Sequence, residues 1–451
     1  MHIHIPETGS SYARSKVLVI GDDTRSFLAS VRALHAHGCT VDALPFNPAA
    51  PALSSRAIRR VWSIKPPAGR MREWAKELAD LIRRESYDFI LPCCERSLIP
   101  IMENQALFSG FTIVFAGEKA LKASLDKAAF HDLAQRLGLP VAPGRLLNLP
   151  HETAENLMAE FGLPLVVRET ASYAPERLDE RGQTHILRTR EDLERFIAQA
   201  DAHRRWHICA FFPAPGTGDG QGMGISVLAD HGEVLVAFQH GRALEPKNGG
   251  GSSVRVSEPL DPQLLEGVRK LCAALELHGI AMFELRRNRK TGEAIFIELN
   301  ARPWGSLPLA IRAGVNFPVL LHDLMVHGKR PEQPAYDAGV VMRNLILNAY
   351  DLFFRSGLPI RKRLFEGLHL GGEVIMALSG RHGTAAGFDT FEHGDMRPAL
   401  REFTAMWHVL MQKGLARLGR KRTPVPAPTP ALTAGENTAA QRAQEASSHG
   451  R

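Results

Sequence analysis

The stretch AIFIELNARPWGS, residues 294–306, carries Glu298, Asn300 and Arg302 at every second position. In a β-strand, residues two apart share a face. This spacing therefore puts a carboxylate, an amide and a guanidinium on one side, and Ile295, Ile297 and Leu299 on the other, core side. Alone, an E-x-N-x-R strand is ordinarily an amphipathic edge strand whose polar face meets water. A second acid changes that reading. IAMFELRR-NRKTGE-AIFIELN has the pattern of a β-hairpin, and a turn centred on Thr291 sets Glu284 directly across from Glu298. Facing carboxylates repel, and burial raises the cost unless one is protonated or a cation sits between them. Asn300 adds a neutral oxygen. Such a set suits hard Mg2+ (or Mn2+), which takes phosphate and water oxygens in its remaining positions. Arg302 could then neutralise charge on a phosphoryl group in flight.

The elements that must position these groups follow from the hydrophobic pattern. KVLVIG reads as a buried strand, SFLASVRALHAHG as a helix, and CTVDALPF as a second strand, the opening of an α/β unit with a parallel sheet. EWAKELADLIRRES is a helix, YDFILPC a strand and FTIVFAG the last strand, so this unit spans 16–118. Its first turn, GDDTRS, has no G-x-G-x-x-G. A second unit, 119–329, starts at the helix SLDKAAFHDLAQRLG, with Asp126 at its start and Gly138 at its close. Strand PLVVRET, strand HILR, helix REDLERFIAQA and strand WHICAFF follow. The glycine-rich 216–224 stretch reads as a mobile loop. ISVLAD-HG-EVLVAFQHGRAL is a hairpin, and helix PQLLEGVRKLCAALELHG leads into the hairpin that carries the acids. Residues 330–422 read as a mostly helical extension. Residues 1–15 read as flexible, and 423–451, rich in Pro, Ala and Ser without aromatics, as disordered.

The bulk numbers are those of an ordinary globular chain of more than one domain. There are 451 residues, 44% hydrophobic and 23% charged, with a formal charge of +7. No run of 18 apolar residues is long enough to span a bilayer. The N-terminus lacks a secretory apolar core. Five cysteines without a C-x-x-C pair argue against a disulfide framework and for a reducing, cytoplasmic home. Lys413, Arg417, Arg420, Lys421 and Arg422 crowd one segment without interleaved aromatics, so nucleic acid is not the expected partner.

The order LDKAAF, LVVRET, CAFFPAPG, GRALEPKNGGGSSVR and ELNARPWGSLPLAIRAGVNFPVLLHDLMVHG resembles the ATP-grasp superfamily, the fold of carboxylate–amine ligases, biotin carboxylase and the carbamoyl phosphate synthetase large subunit. The resemblance covers residues 16–328. It implies a Rossmann-like pre-ATP-grasp domain, a two-subdomain ATP-grasp fold and then the helical extension. It also implies that Lys127 and Arg168 hold the ATP phosphates. The adenine hinge lacks the family's Gln-Glu pair, and backbone groups at Ala210 and Phe212, beside Phe211, take its place. Met282 belongs to the same nucleotide-binding set. Glu284, Glu298 and Asn300 become the metal ligands, Arg302 the catalytic arginine, and Arg242 with the Gly249–Ser253 run the groups facing the acceptor. Taken singly, Ser252 and Ser253 read as surface-loop residues. The lid after the basic strand, ASYAPERLDERGQTH, holds one glycine and several charges, with Tyr173 or Arg177 in reach of the phosphates.

The expected reaction is ATP-dependent activation of a small carboxylate as an acyl phosphate, attacked by an amine or another nucleophile. Phosphorylation of bicarbonate or carbamate, and a non-catalytic ATP-binding scaffold, are the alternatives. A homodimer is compatible with either. His203 and His207, four apart without a third ligand, are expected to face solvent. Cys93 and Cys94, beside Glu95 at a strand's C-terminal end, are expected to be buried and inert. YDLFFRSGLPIRKRLFEGLHL mixes Phe and Leu with Arg and Lys. It has the composition of a membrane-surface helix, but packing on the catalytic domain is the expectation.

Overall fold

KVLVI forms strand β1 (Lys16–Ile20), whose last four residues are buried, as a strand covered on both faces requires. The computed structural model describes residues 15–245, 252–350, 359–378 and 386–418. After β1 come α1 (Ser26–Ala36), β2 (Thr40–Leu44), β3 (Arg60–Val61), α2 (Met71–Glu85), β4 (Phe89–Pro92) and α3 (Glu95–Glu103). The strands make a parallel sheet in the order β3-β2-β1-β4. FTIVFAG, expected as a full strand, contributes one bridge, Ile113 to Ile90. The chain then leaves this sheet, and Ala116 O accepts from His278 N at 3.2 Å.

Next are α4 (Glu118–Leu125), α5 (Lys127–Arg136), β5 (Gly144–Leu146), α6 (Ala154–Phe161), β6 (Leu165–Glu169), β7 (Thr184–Leu187), α7 (Arg190–Gln199) and β8 (Trp206–Ala210). These strands form a small antiparallel sheet, β5-β8-β6-β7, backed by α6 and α7 through Leu157, Leu193 and Phe196. His207, expected to face solvent, is fully buried against the His131 ring, 4.7 Å between centroids. Its place in β8 turns it toward α5, whereas His203 precedes the strand and is exposed.

The remaining elements are β9 (Gly220–Asp230), β10 (Glu233–Leu244), β11 (Val254–Glu258), α8 (Pro262–Leu275), β12 (Gly279–Asn288), β13 (Ala294–Asn300), α9 (Leu307–Ala313), α10 (Phe317–His327), β14 (Val341–Arg343), α11 (Leu345–Tyr350), α12 (Ile360–Leu378), β15 (Ala386–Phe388) and α13 (Arg397–Leu418). One large sheet runs β13-β12-β9-β10-β11-β14-β15. Thus two segments of the region beyond residue 330 are strands, extending the edge of the main sheet. They are anchored by the Arg255 guanidinium, which meets both Asp389 oxygens at 2.6 Å and donates to Gly305 O at 2.7 Å. The calls on residues 1–14 and 423–451 lie outside the described residues.

Two cores flank the large sheet. One face packs on α4, α5 and α8 through Phe130, Val268, Leu271, Phe283 and Leu299. The other shares a single core with the parallel sheet: Val31 and Leu34 of α1, Leu309 of α9, and Phe317 and Leu321 of α10 lie among Phe89, Phe238 and Ile280.

The run expected as a glycine-rich loop is a strand from Gly220 onward. Gly220, Gly222 and Gly224 alternate along one face of β9 because larger side chains cross it. A Cβ at Gly220 would lie 2.6 Å from Arg286, at Gly222 2.7 Å from Arg242 Cδ, and at Gly224 2.5 Å from His240. Close approach, rather than chain mobility, explains these glycines.

Candidate active site

Hairpin β12–β13 pairs Glu284 with Glu298 and Met282 with Asn300, the register read from the turn position. A β-bulge between Glu284 and Leu285 changes the rest. Leu285 lies across from Phe296, so one residue of β13 is extra. The expected core face of Ile295, Ile297 and Leu299 is thereby split. Phe296 and Leu299 enter the core with α8. Ile295 and Ile297 instead join Ala142, Val166, Cys209 and Phe212 in an apolar cluster against the small sheet. The bulge also presents Ile297 O to Arg168 Nη1, 3.4 Å away.

The two carboxylates live in different fields. Burial pushes Glu284 up, and repulsion from Glu298 adds to this; Arg242 Nη2, 2.7 Å from Glu284 Oε2, opposes it. Burial also acts on Glu298, but Lys127, Arg168 and Arg181 overcome it and hold Glu298 below the usual carboxylate range. Arg181 belongs to the charged lid. Arg177, proposed from the sequence as the lid contact, is bound 2.8 Å from Glu169 Oε1 and also to Glu180.

Lys127 is set by the α5 N-terminus. The Asp126 side chain caps Ala128 N and Ala129 N, and Lys127 N donates to Thr170 O at 2.9 Å. Its Nζ donates to Ser172 Oγ at 2.9 Å and lies 3.3 Å from Glu169 O. Burial lowers its ammonium pKa, and Glu298 resists that drop. Arg168 is buried on β6, with its Nε lacking a partner among the described residues.

Arg302 follows β13 and bridges the two halves of the molecule. Its Nη2 donates to Asn300 Oδ1 at 3.2 Å and lies 2.8 Å from Glu95 Oε1, at the start of α3. Burial works against this guanidinium, but Glu95 raises its pKa. Glu95 was noted in the sequence only as a neighbour of the cysteine pair; nothing local linked it to Arg302. Tyr173, in the lid, sits near Glu95 and Arg302, with its phenol raised by burial first and then by Glu95. The lid also meets α3 through Arg96 Nη2 and Asp179 Oδ1, 3.1 Å apart. Cys93 is buried, and burial raises both thiols, Cys94 to about 12, so neither is a poised thiolate.

The other candidates stand around this centre in different ways. Met282 shares the face of Glu284 but is buried in the core with Trp304 and Ile280, away from the Ile295–Phe212 cluster. At the hinge, Ala210 N donates to Pro143 O and Phe211 N to Pro164 O. Phe212 O accepts from Arg286 Nε at 2.9 Å. Strand pairing and Arg286 thus consume several of the backbone groups expected to meet adenine. Arg242 lies on β10, the second strand of the expected hairpin. Ser252 and Ser253 are buried, not exposed; Ser252 Oγ lies 2.8 Å from Leu244 O and 2.7 Å from Val254 O. Gly249, Gly250 and Gly251 lie outside the described residues.

The comparisons with known proteins agree with this architecture. Residues 219–346 match the family described as ATP-grasp in the biosynthetic pathway with Ter operon. The carbamoyl phosphate synthase large chain of Thermus thermophilus is 26% identical over 203 residues, which are 43% of this chain and 18% of that protein. This chain therefore aligns with less than a fifth of that relative's length. Among solved structures, the biotin carboxylase domain of Hydrogenobacter thermophilus 2-oxoglutarate carboxylase, in complex with MgADP, ADP and bicarbonate, is 19% identical. It aligns with a TM-score of 0.55 over 72% of this chain and 73% of that one. Staphylococcus aureus N5-carboxyaminoimidazole synthetase complexed with ADP is 15% identical, with a TM-score of 0.57 over 75% and 84% of the two chains. With its small antiparallel sheet facing the Glu284–Glu298 hairpin of the large one, the chain has a mixed α/β fold of the ATP-grasp kind.

Proposed function

We propose that this protein is an ADP-forming ligase that uses ATP to activate a carboxylate as an acyl phosphate for attack by an amine or another nucleophile. The observation that carries the reading is the pairing of Glu284 with Glu298 beside Asn300, ringed by Lys127, Arg168, Arg181, Arg242 and Arg302. The donor set fits a hard divalent cation. Its atoms are oxygens, and burial disfavours one of its two charges, a cost that added positive charge relieves. Glu284, Glu298 and Asn300 would hold Mg2+ or Mn2+, which when bound draws charge from phosphate oxygens.

The residues then divide the work. Lys127 and Arg168 bind and orient the phosphates. Ile295, Ile297 and Phe212 provide an apolar wall for the base. Arg302, held by Glu95, offsets charge on the phosphoryl group as a carboxylate oxygen bonds to the γ-phosphorus and the bond to the ADP oxygen breaks. Tyr173 and the lid exclude water. In the second half, the nucleophile adds its lone pair to the acyl carbon, loses a proton, and phosphate leaves. Positioning and fixed charges supply most of the acceleration.

A second reading, phosphorylation of bicarbonate or carbamate, is favoured by Arg168 at the phosphate position and by the likeness to carbamoyl phosphate synthase. On either reading, residues 16–118 act as the pre-ATP-grasp domain that supplies Glu95, and the region after 330 braces the loop that follows Arg302. The five free cysteines support a reducing, cytoplasmic location.

The test is Mg2+-dependent ADP release by the purified chain with pools of amino acids and small acids. Glu298→Gln and Asn300→Ala should each lower the rate by at least about a hundredfold without loss of folded circular dichroism. Unchanged turnover in both would remove the metal assignment. ATP binding without turnover in any pool would favour the scaffold.

A further inference from the structure

Helix α12 is placed with its apolar side outward. Ile360, Leu364, Leu368 and Ile375 recur at turn spacings along one face and, with the adjacent Phe365, are exposed, Leu368 by 77% and Phe365 by 69%. The opposite face meets the protein: Leu370 is buried, and Glu373 Oε2 lies 2.7 Å from Arg343 Nε on β14. Helix α13 repeats the arrangement. Leu400, Phe403 and Trp407, at positions i, i+3 and i+7, are exposed, while Ala399 is buried and Glu402 receives Thr24 Oγ1 at 2.7 Å. The described part of the 350–370 segment thus packs on the rest of the protein through one face and leaves its apolar face bare. An amphipathic helix normally buries this stripe. Contiguous exposed apolar surface marks a contact site.

Charge selects the occupant. Arg361 and Lys362 flank the α12 stripe, and Arg397 and Arg401 that of α13; all four are exposed. The sequence from Phe403 to Gly435 contains Lys413, Arg417, Arg420, Lys421 and Arg422 and no Asp or Glu. Two copies of such a face would bring like charges together. Leu, Ile, Phe and Trp beside Lys and Arg instead match a bilayer interface with anionic headgroups.

We infer that the exposed apolar stripes of α12 and α13 are each a peripheral docking element for an anionic lipid membrane, without crossing it. No single described helix is long and apolar enough to span a bilayer. The stripes use none of the residues assigned to the nucleotide site, so their test stands apart from the proposed activity.

The full chain should cosediment with vesicles of phosphatidylglycerol and phosphatidylcholine but not with phosphatidylcholine alone, and binding should weaken as salt is raised. Arg361→Glu with Lys362→Glu should cut binding at least roughly tenfold. Leu364→Ser with Leu368→Ser should abolish it while leaving circular dichroism unchanged, as both side chains lie in water. Trp407 emission, obtained by difference from Trp407→Phe, should shift to the blue on anionic vesicles. Absence of cosedimentation, equal binding to neutral vesicles, or a dimer that the serine substitutions dissolve would each overturn the inference.

Discussion

The buried pair Arg255–Asp389 joins the late strands to the loop after the candidate catalytic arginine, and removing one partner should be costly. The two side chains are 3% and 1% exposed. Asp389 also receives Asn344 Nδ2 at 3.3 Å, and Arg255 holds Gly305 O. Asp389→Ala would leave a guanidinium charge buried beside a carbonyl and an amide. Breaking such a pair costs about 3–5 kcal/mol, whereas replacing both partners by apolar residues of similar size costs little. If the loss falls on local opening, amide exchange in β11, β14, β15 and the 301–306 loop should speed up between about a hundredfold and a few thousandfold. Hydrogen exchange read by mass spectrometry measures this segment by segment. Arg255→Met with Asp389→Leu should recover most of the protection. A change under tenfold in Asp389→Ala, or a double variant worse than the single, would refute the reasoning.

Other expectations follow from the site and its floor. Lys127→Ala should raise KM for ATP by at least roughly tenfold, with Lys127→Arg recovering part of it, since a point charge beside phosphate is what the position supplies. Gly224→Val should destabilise the fold by about 1–3 kcal/mol in urea melts, because a side chain there meets His240 and Met282. Burial pushes His207 and His240 down to about 3 from an ordinary 6.5. The unfolded chain therefore binds these protons first: their contribution is complete above 6.5 and is lost as pH falls toward 3. Each makes stability fall by about 1.4 kcal/mol per pH unit across most of that window. His207→Leu should flatten the dependence of the urea midpoint on pH.

A turn centred on Thr291, midway between Glu284 and Glu298, made the acidic pair legible, although the pairs nearest the turn run one residue off that register and the bulge is what brings Glu284 across from Glu298. The bulge was not legible, because a single extra residue leaves no mark in composition; it moved Ile295 and Ile297 from the expected core to the cluster against the small sheet. The glycines of β9 carried a period-two signal, yet glycine content alone reads as loop. Lys127 and Arg168 were placed by their order in the chain. Glu95 and Arg181 were not, since their approach to the site depends on packing between segments distant in sequence. The short strands after residue 330 lack a pattern of their own and form by adding to the edge of an existing sheet.

Helices α1, α9 and α10 have the parallel sheet on one side and the large sheet on the other, with one continuous apolar filling. The first hundred residues are therefore not a detachable cassette. A fragment starting at residue 119 would bare the inner surfaces of α9 and α10 to water and strip Arg302 of Glu95. Recombination that exchanged this leading segment among relatives would have to carry matching α9 and α10 surfaces with it.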